Sequence, residues 1–286
     1  MSWDEFLYKF TINKLIHVKK TFLIIILSGP LFLFAQDQNL SRKERIAERK
    51  EKINQLIKQE EEGALIYQKQ GAFGIKLNTD GYGFFYEHGK YKTITKTNLW
   101  WMEFGERKSN KQDKQTQPLT NGIVVFSGTP YVYGKENNFY YFKLGFGRQI
   151  LIGGKGNKNG VAVSAIYGAG LSVGMLKPYY IQVEDPTTGK ITDIKYNNND
   201  SLFLNNGVIY GGSSFGKGFN EIQFVPGAQI RTALRFDYGR YNEVLSAIEV
   251  GVNFEYYSKK MPIMVFEDPH HGFFNAYIAI EFGKRK

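Results

Sequence analysis

The stretch EIQFVPGAQIRTALRFD, residues 221–237, decides the fold, because it alternates along its whole length. One parity reads Ile222, Phe224, Pro226, Ala228, Ile230, Thr232, Leu234 and Phe236. The other reads Glu221, Gln223, Val225, Gly227, Gln229, Arg231, Ala233, Arg235 and Asp237. A strand turns successive side chains to opposite faces, so one face is apolar and the other is charged, amide or small. The charges sit inside the repeat, not at its ends. That is the dyad pattern of a transmembrane β-barrel, apolar outside and polar within. Pro226 lies on the apolar parity and predicts a local break or bulge in the ladder.

The same alternation recurs on both sides. Residues 71–78 set Phe73, Ile75 and Leu77 against Gly74 and Lys76. After a Thr79-Asp80-Gly81 turn, Tyr82, Phe84 and Tyr86 oppose Gly83 and Glu87. His88-Gly89-Lys90 reads as a second turn, into a strand from Tyr91 to about Glu106. There the consecutive Trp100, Trp101 and Met102 leave the facing ambiguous and allow a bulge. Residues 139–151 and 161–175 alternate again, with Arg148 on the apolar parity near a strand end, where it can snorkel. Residues 242–258 set Val244, Ile248, Val250, Val252, Phe254 and Tyr256 against Glu243, Glu249, Gly251, Asn253 and Glu255. Residues 274–282 close the series, with Glu281 inward.

These segments make eight strands. Long connections fall at 107–138, 179–218 and 259–272, and short ones at 88–90, 153–160 and 238–241. Barrels of this kind keep short turns on the periplasmic side and an even strand number, and eight strands satisfy both. The expectation is an all-β fold: an eight-stranded antiparallel up-and-down transmembrane barrel over residues 64–286, with a short N-terminal helical lead-in.

The N-terminus reads as an export signal. Lys14, Lys19 and Lys20 precede the apolar run TFLIIILSGPLFLF, and Ala35-Gln36 offers a cleavage point, so residues 1–35 are expected to be removed. Residues 36–63 are highly charged with a thin apolar stripe, a solvated periplasmic lead-in that is either helical or disordered. The destination implied is the cell outer membrane. The chain has no Cys, which excludes disulfides, thiolate metal sites and a cysteine nucleophile. Its formal charge is +10, but the Lys and Arg are scattered, so nucleic acid is not the expected partner.

An eight-stranded barrel is just filled by its side chains. Arg231 and Arg235 on one strand face Glu249, Asn253 and Glu255 on the next. With Glu243 and Glu281 they are expected to form an ion-pair core in the lumen, since unpaired buried charges are costly. Gly145, Gly147, Gly168, Gly170 and Gly174 would make room for it. Lys155, Lys158, Arg240, Lys284 and Arg285 are expected to form a basic periplasmic rim that meets anionic lipid or a partner. Catalytic options are thin. The cluster FEDPHHG places Glu267, Asp268, His270 and His271 in the last outer loop, where a His base is conceivable. No catalytic, metal or cofactor site is expected. GGKGNKNG, residues 153–160, lacks the GK[ST] ending of a phosphate loop.

The signal ending LFLFAQ, the parity-clean strands and the closing FFNAYIAIEFGKRK resemble small outer-membrane barrels of the Bacteroidota type over residues 64–286. The last strand departs from the usual pattern by ending in GKRK, with Phe282 as its nearest aromatic. The resemblance implies an outer-membrane location more than an activity, since that class includes structural proteins, adhesins, secretion or assembly accessories and a few lipid-modifying enzymes. The filled lumen and thin catalytic options lead to a non-enzymatic envelope protein or accessory subunit of an outer-membrane complex. Its partners would be outer-membrane lipid, lipopolysaccharide included, and other envelope proteins. The alternatives are a small-solute channel and a lipid-modifying enzyme using His270 or His271.

Overall fold

The computed structural model describes residues 44–48, 50–51, 55, 67–120, 125–155, 160–185, 187–197, 201–239 and 243–286. The expected signal (1–35) lies outside the described residues. In the lead-in, residues 44–48, 50, 51 and 55 are helical.

Fifteen strands occur among the described residues. Eight build the barrel: β1 (Lys69–Asn78), β2 (Gly81–Tyr91), β3 (Lys96–Arg107), β8 (Asn137–Gly153), β9 (Ala162–Pro178), β13 (Gln223–Asp237), β14 (Val244–Met261) and β15 (His270–Arg285). The ring order is β1-β15-β14-β13-β9-β8-β3-β2, every pairing antiparallel. β1 closes it against β15, from Gln70↔Arg285 to Asn78↔Tyr277. Neighbours in the ring are neighbours in sequence, so the barrel is a plain meander, with loops inserted at one end. A closed ring leaves neither a first nor a last strand with a free edge along its length.

The parity read from sequence sets the facing. Phe73, Ile75, Phe84, Phe104, Phe146, Leu171, Ile230, Phe274 and Ile280 are exposed on the outside. Their partners in alternation are buried inside. Tyr82, Phe104 and Tyr140 gather toward the loop end, and Tyr86 and Trp100 toward the turn end. An apolar belt flanked by aromatics on strands of ten residues or more is the surface a bilayer covers.

Three expectations are corrected. The turn after β2 is at residues 92–95, where Lys92 and Thr93 donate to the Lys96 carbonyl. His88 and Gly89 stay within β2, since Gly89 keeps the inward parity where a Cβ would crowd Gln70 and Thr97. β3 needs no bulge: it pairs continuously with β8 from Lys96↔Ile150 to Arg107↔Phe139, with Trp101 inward and Trp100 and Met102 outward. Of the break or bulge expected at Pro226, the bulge is absent and the break is present on one side only. β13 runs in unbroken register with β9 through Pro226↔Val173, while its ladder with β14 begins only at Gly227↔Tyr257. The proline thus sits at a ladder end, where a missing N–H costs least.

The long connections fold into a cap at one end. They carry the short pairs β4 (Lys114–Gln115) with β7 (Tyr131–Val132), and β5 (Pro118–Thr120) with β6 (Val125–Ser127). They also carry a three-stranded sheet ordered β11-β10-β12, from β10 (Tyr180–Glu184), β11 (Ile191–Lys195) and β12 (Ile209–Gly212). This cap has its own core of Tyr131, Ile181, Val183, Phe203 and Ile209. The β14–β15 connection crosses the barrel mouth, where Glu136 and Asn137 N–H groups donate to the Ile263 carbonyl.

Candidate functional site

The lumen holds two linked ionic clusters. In the first, β13 supplies Arg231 and Arg235, β2 supplies Glu87, β14 supplies Glu249 and β15 supplies Glu281. Arg231 Nη2 lies 2.8 Å from Glu87 Oε2, and Arg235 Nη1 lies 2.8 Å from Glu87 Oε1. Arg235 Nη2 is 2.8 Å from Glu249 Oε2, and its Nε pairs with Glu281. Tyr277 donates to Glu249 Oε1 at 2.6 Å, and Arg231 stacks its guanidinium 4.2 Å from the Trp101 ring centre.

The second cluster lies nearer the cap. Glu103 of β3 pairs with Lys76 of β1 and, at 3.1 Å, with Lys143 of β8. Lys143 also pairs with Glu255 of β14. Arg107 of β3 reaches Glu255 and Asp80 and donates to Asn275 Oδ1 at 2.7 Å. Tyr257 donates to Glu255 Oε2 at 2.8 Å. Above these charges the lumen turns apolar, with Phe139, Leu176, Val225, Met261, Ile263 and Phe273 packed together under the cap.

β2 and β13 stand on opposite walls of the eight-membered ring, and so do β3 and β14. The Arg231–Glu87, Arg235–Glu87 and Arg107–Glu255 pairs therefore cross the full diameter. Among the described residues, five buried cations meet six carboxylates in these clusters. The chain's basic excess thus lies outside the lumen.

The structure places the sequence-derived residues as follows. Arg231, Arg235, Glu249 and Glu281 come together. Glu255 is buried but belongs to the Arg107 and Lys143 cluster, away from Arg231 and Arg235. Asn253 is buried opposite Arg231 in the β13–β14 register, with no hydrogen-bond partner for its amide among the described residues. Glu243 is outside both clusters, just before β14, where its carbonyl accepts from Arg285 N–H. Barrel curvature explains the rearrangement: long inward side chains meet partners at their own height across the lumen, not only on the next strand. Glu87, Glu103, Lys76, Lys143, Arg107 and Asp80 were not among the expected core residues. The parity of β1, β2 and β8 already marks Lys76, Glu87 and Lys143 as inward. Glu103 and Arg107 follow once β3 is read without a bulge.

The inward glycines accommodate aromatics more than charges. A Cβ at Gly145 would overlap the Trp101 ring, and one at Gly168 would stand 2.6 Å from its Cη2. One at Gly174 would meet Met261 and Tyr257.

The basic rim divides. Lys155 Nζ lies 3.3 Å from Asp237 Oδ1 and donates to the Gly239 carbonyl at 2.6 Å. Arg285 also pairs with Asp237, and its Nε donates to Tyr91 Oη at 2.8 Å. Both are mostly buried at the barrel's turn end, held inward by that shared carboxylate. Lys284 is exposed. Lys158 and Arg240 lie outside the described residues.

His270 and His271 are held by backbone carbonyls and aromatic rings. His271 Nδ1 is 2.9 Å from the Tyr257 carbonyl, and its ring stacks on Tyr256 at 5.4 Å. His270 Nδ1 is 3.3 Å from the Asp268 carbonyl and packs on Phe273. Among the described residues no three His, Asp or Glu side chains group as a metal site.

No protein-family model matches the chain, and no curated protein matches it. Among solved structures, it is similar to the Neisserial surface protein A, at 8% identity over 76% of this chain and 96% of that one, with a TM-score of 0.37. It is also similar to the N-terminal β-barrel domain of Pseudomonas aeruginosa OprF, at 10% identity over 75% and 96%, TM-score 0.34. A third is Ail, the attachment invasion locus protein of Yersinia pestis, at 8% identity over 76% and 96%, TM-score 0.31. The closed ladder of this chain, not these distant likenesses, establishes the eight-stranded barrel.

Proposed function

We propose that the protein is a non-enzymatic outer-membrane barrel with a lumen closed by ion pairs, which works through its cap and its rims. The observation that carries this reading is the set of diametric pairs, Arg235–Glu87 and Arg107–Glu255, beneath a packed apolar mouth. Side chains that bridge the full width of an eight-stranded barrel leave no aqueous path for solutes. The apolar belt supports residence in a bilayer, and the expected signal with cleavage near Ala35-Gln36 supports export to the outer membrane. The cap, a folded unit with its own core, supports a role as an envelope structural protein or accessory subunit. Loops held on a rigid scaffold are the usual carriers of binding. Lipopolysaccharide and other envelope proteins are the partners this reading names.

Planar-bilayer recording of the purified protein tests it. The expected trace shows no steady single-channel steps, and a stable porin-like conductance overturns the closed lumen. Mild-detergent purification from native membranes then tests the accessory role, with a stoichiometric envelope protein as the expected companion.

A further inference from the structure

The wall of the barrel opens along the upper end of β14. Below Gly227↔Tyr257 the β13–β14 ladder is continuous. Above it, Gln223–Pro226 pair with β9 alone, and β14 runs on to Met261 without β13. β14 also leaves β15 between Tyr256 and Met261, where the register shifts. Two residues mark the gap. Gln223 and Lys259 both stand on the inward parity, yet both are exposed. Pro226 keeps the split open, since it offers no N–H to extend the ladder.

What lies on either side of this split differs in kind. Behind it is the apolar upper lumen, with Val225 and Met261 at its edge. Met261 is unbranched and adaptable, and its Cε fills the space beside Gly174. In front of it, the outward aromatics Phe224 of β13, 66% exposed, and Tyr256 of β14, 54% exposed, carry the apolar belt up to the split. Phe215 and Phe219 lie on the β9 side of β13, over the Lys177 ammonium. On the β14 side the split is edged by Lys259 and Lys260, exposed and without an ion pair among the described residues. A greasy approach, an apolar interior and two free-standing ammonium groups at the threshold match one chemistry: an acyl chain attached to an anionic head.

We propose that the β13–β14 split is a lateral portal. Through it one acyl chain of an anionic membrane lipid enters the apolar upper lumen, with its head group held by Lys259 and Lys260. The chain displaces Met261 and lies against Val225 and Leu176, above the ionic clusters that bar it from going deeper. This inference rests on the bilayer-spanning reading of the barrel and goes beyond its role as a closed scaffold.

Photolabelling tests it. The full chain is reconstituted in vesicles containing phosphatidylglycerol with a diazirine at the acyl terminus, irradiated and mapped by mass spectrometry. The expected result is labelling of inward Met261 and Val225 together with outward Phe254 and Ile278. Lys259→Gln with Lys260→Gln should lower the inward labelling about thirtyfold, about 1 kcal/mol for each lysine, and leave the outward labelling unchanged. A diazirine phosphatidylcholine should label only the outward residues. Labels confined to Phe254 and Ile278 overturn the portal while leaving the barrel in its membrane. Equal inward labelling from phosphatidylcholine, or from the glutamine variant, overturns the anionic-lipid assignment. Absence of labels on Phe254 and Ile278 overturns the bilayer reading, and the portal with it.

Discussion

Arg235 and Glu87 face each other across the barrel, 2.8 Å apart at Nη1 and Oε1, from strands on opposite walls. Glu87 also holds Arg231 at 2.8 Å, so one carboxylate serves two guanidiniums. Removing one partner of a buried pair leaves an uncompensated charge, at a cost of about 3–5 kcal/mol. Glu87→Ala should therefore lower the urea midpoint of the detergent-folded protein far more than Glu106→Ala, which removes a carboxylate on the outer face that accepts a hydrogen bond from Tyr82. Equal effects would show that the diametric pairs contribute little.

Trp101 depends on the absence of side chains around it. Gly145→Val should overpack the lumen and destabilise by about 1–3 kcal/mol. Combining it with Trp101→Leu, which frees volume at the same spot, should recover part of that loss. A double-mutant cycle measured by equilibrium unfolding checks this; strict additivity would mean that the ring and the glycine do not share space.

Lys135 gives the cap a pH dependence. Its ammonium is buried, hydrogen-bonded to Gln112 Oε1 at 3.2 Å and placed near Lys108, Lys114 and Lys177, with Glu106 the opposing charge. Burial lowers it from 10.5 to about 8. Between those values the unfolded chain binds more protons than the folded one, so stability rises with pH through that window, by at most about 1.4 kcal/mol per pH unit. Below pH 8 the penalty is fully present. Lys135→Met should thus stabilise the protein at pH 7, and its advantage should shrink steadily toward pH 10. An advantage independent of pH would place the effect in packing instead of charge.

His270 and His271 contact backbone carbonyls and aromatic rings. Replacing both with Ala should leave the lipid A mass profile of the producing cells unchanged. A lost or gained acyl or phosphate group on the lipid would restore the enzyme reading.

Much of this architecture is legible in the chain because a membrane barrel enforces period two at every strand. Residues 221–237 reveal their inward and outward faces without any knowledge of neighbours. Local punctuation was harder to read. His88-Gly89 looks like a turn, but Gly89 is small because Gln70 and Thr97 need its space. The ion-pair partners were harder still. Adjacent strands suggested Arg231 and Arg235 with Glu249 and Glu255. Glu255 instead joins Arg107 on the far wall, a match fixed by barrel closure and strand tilt, which no local pattern records. Trp100-Trp101-Met102 hid Glu103 and Arg107 for a similar reason: three large apolar residues in a row conceal parity until the ladder with β8 assigns it.

The pairs that cross the lumen have a mechanical meaning. Arg235–Glu87 and Arg107–Glu255 lie along two different diameters at two heights, so each acts as a strut. A thin-walled cylinder under lateral pressure fails first by flattening into an ellipse. Struts on two diameters oppose that deformation in either direction, so lipid pressure is borne as compression of the ring and its cross-section stays round.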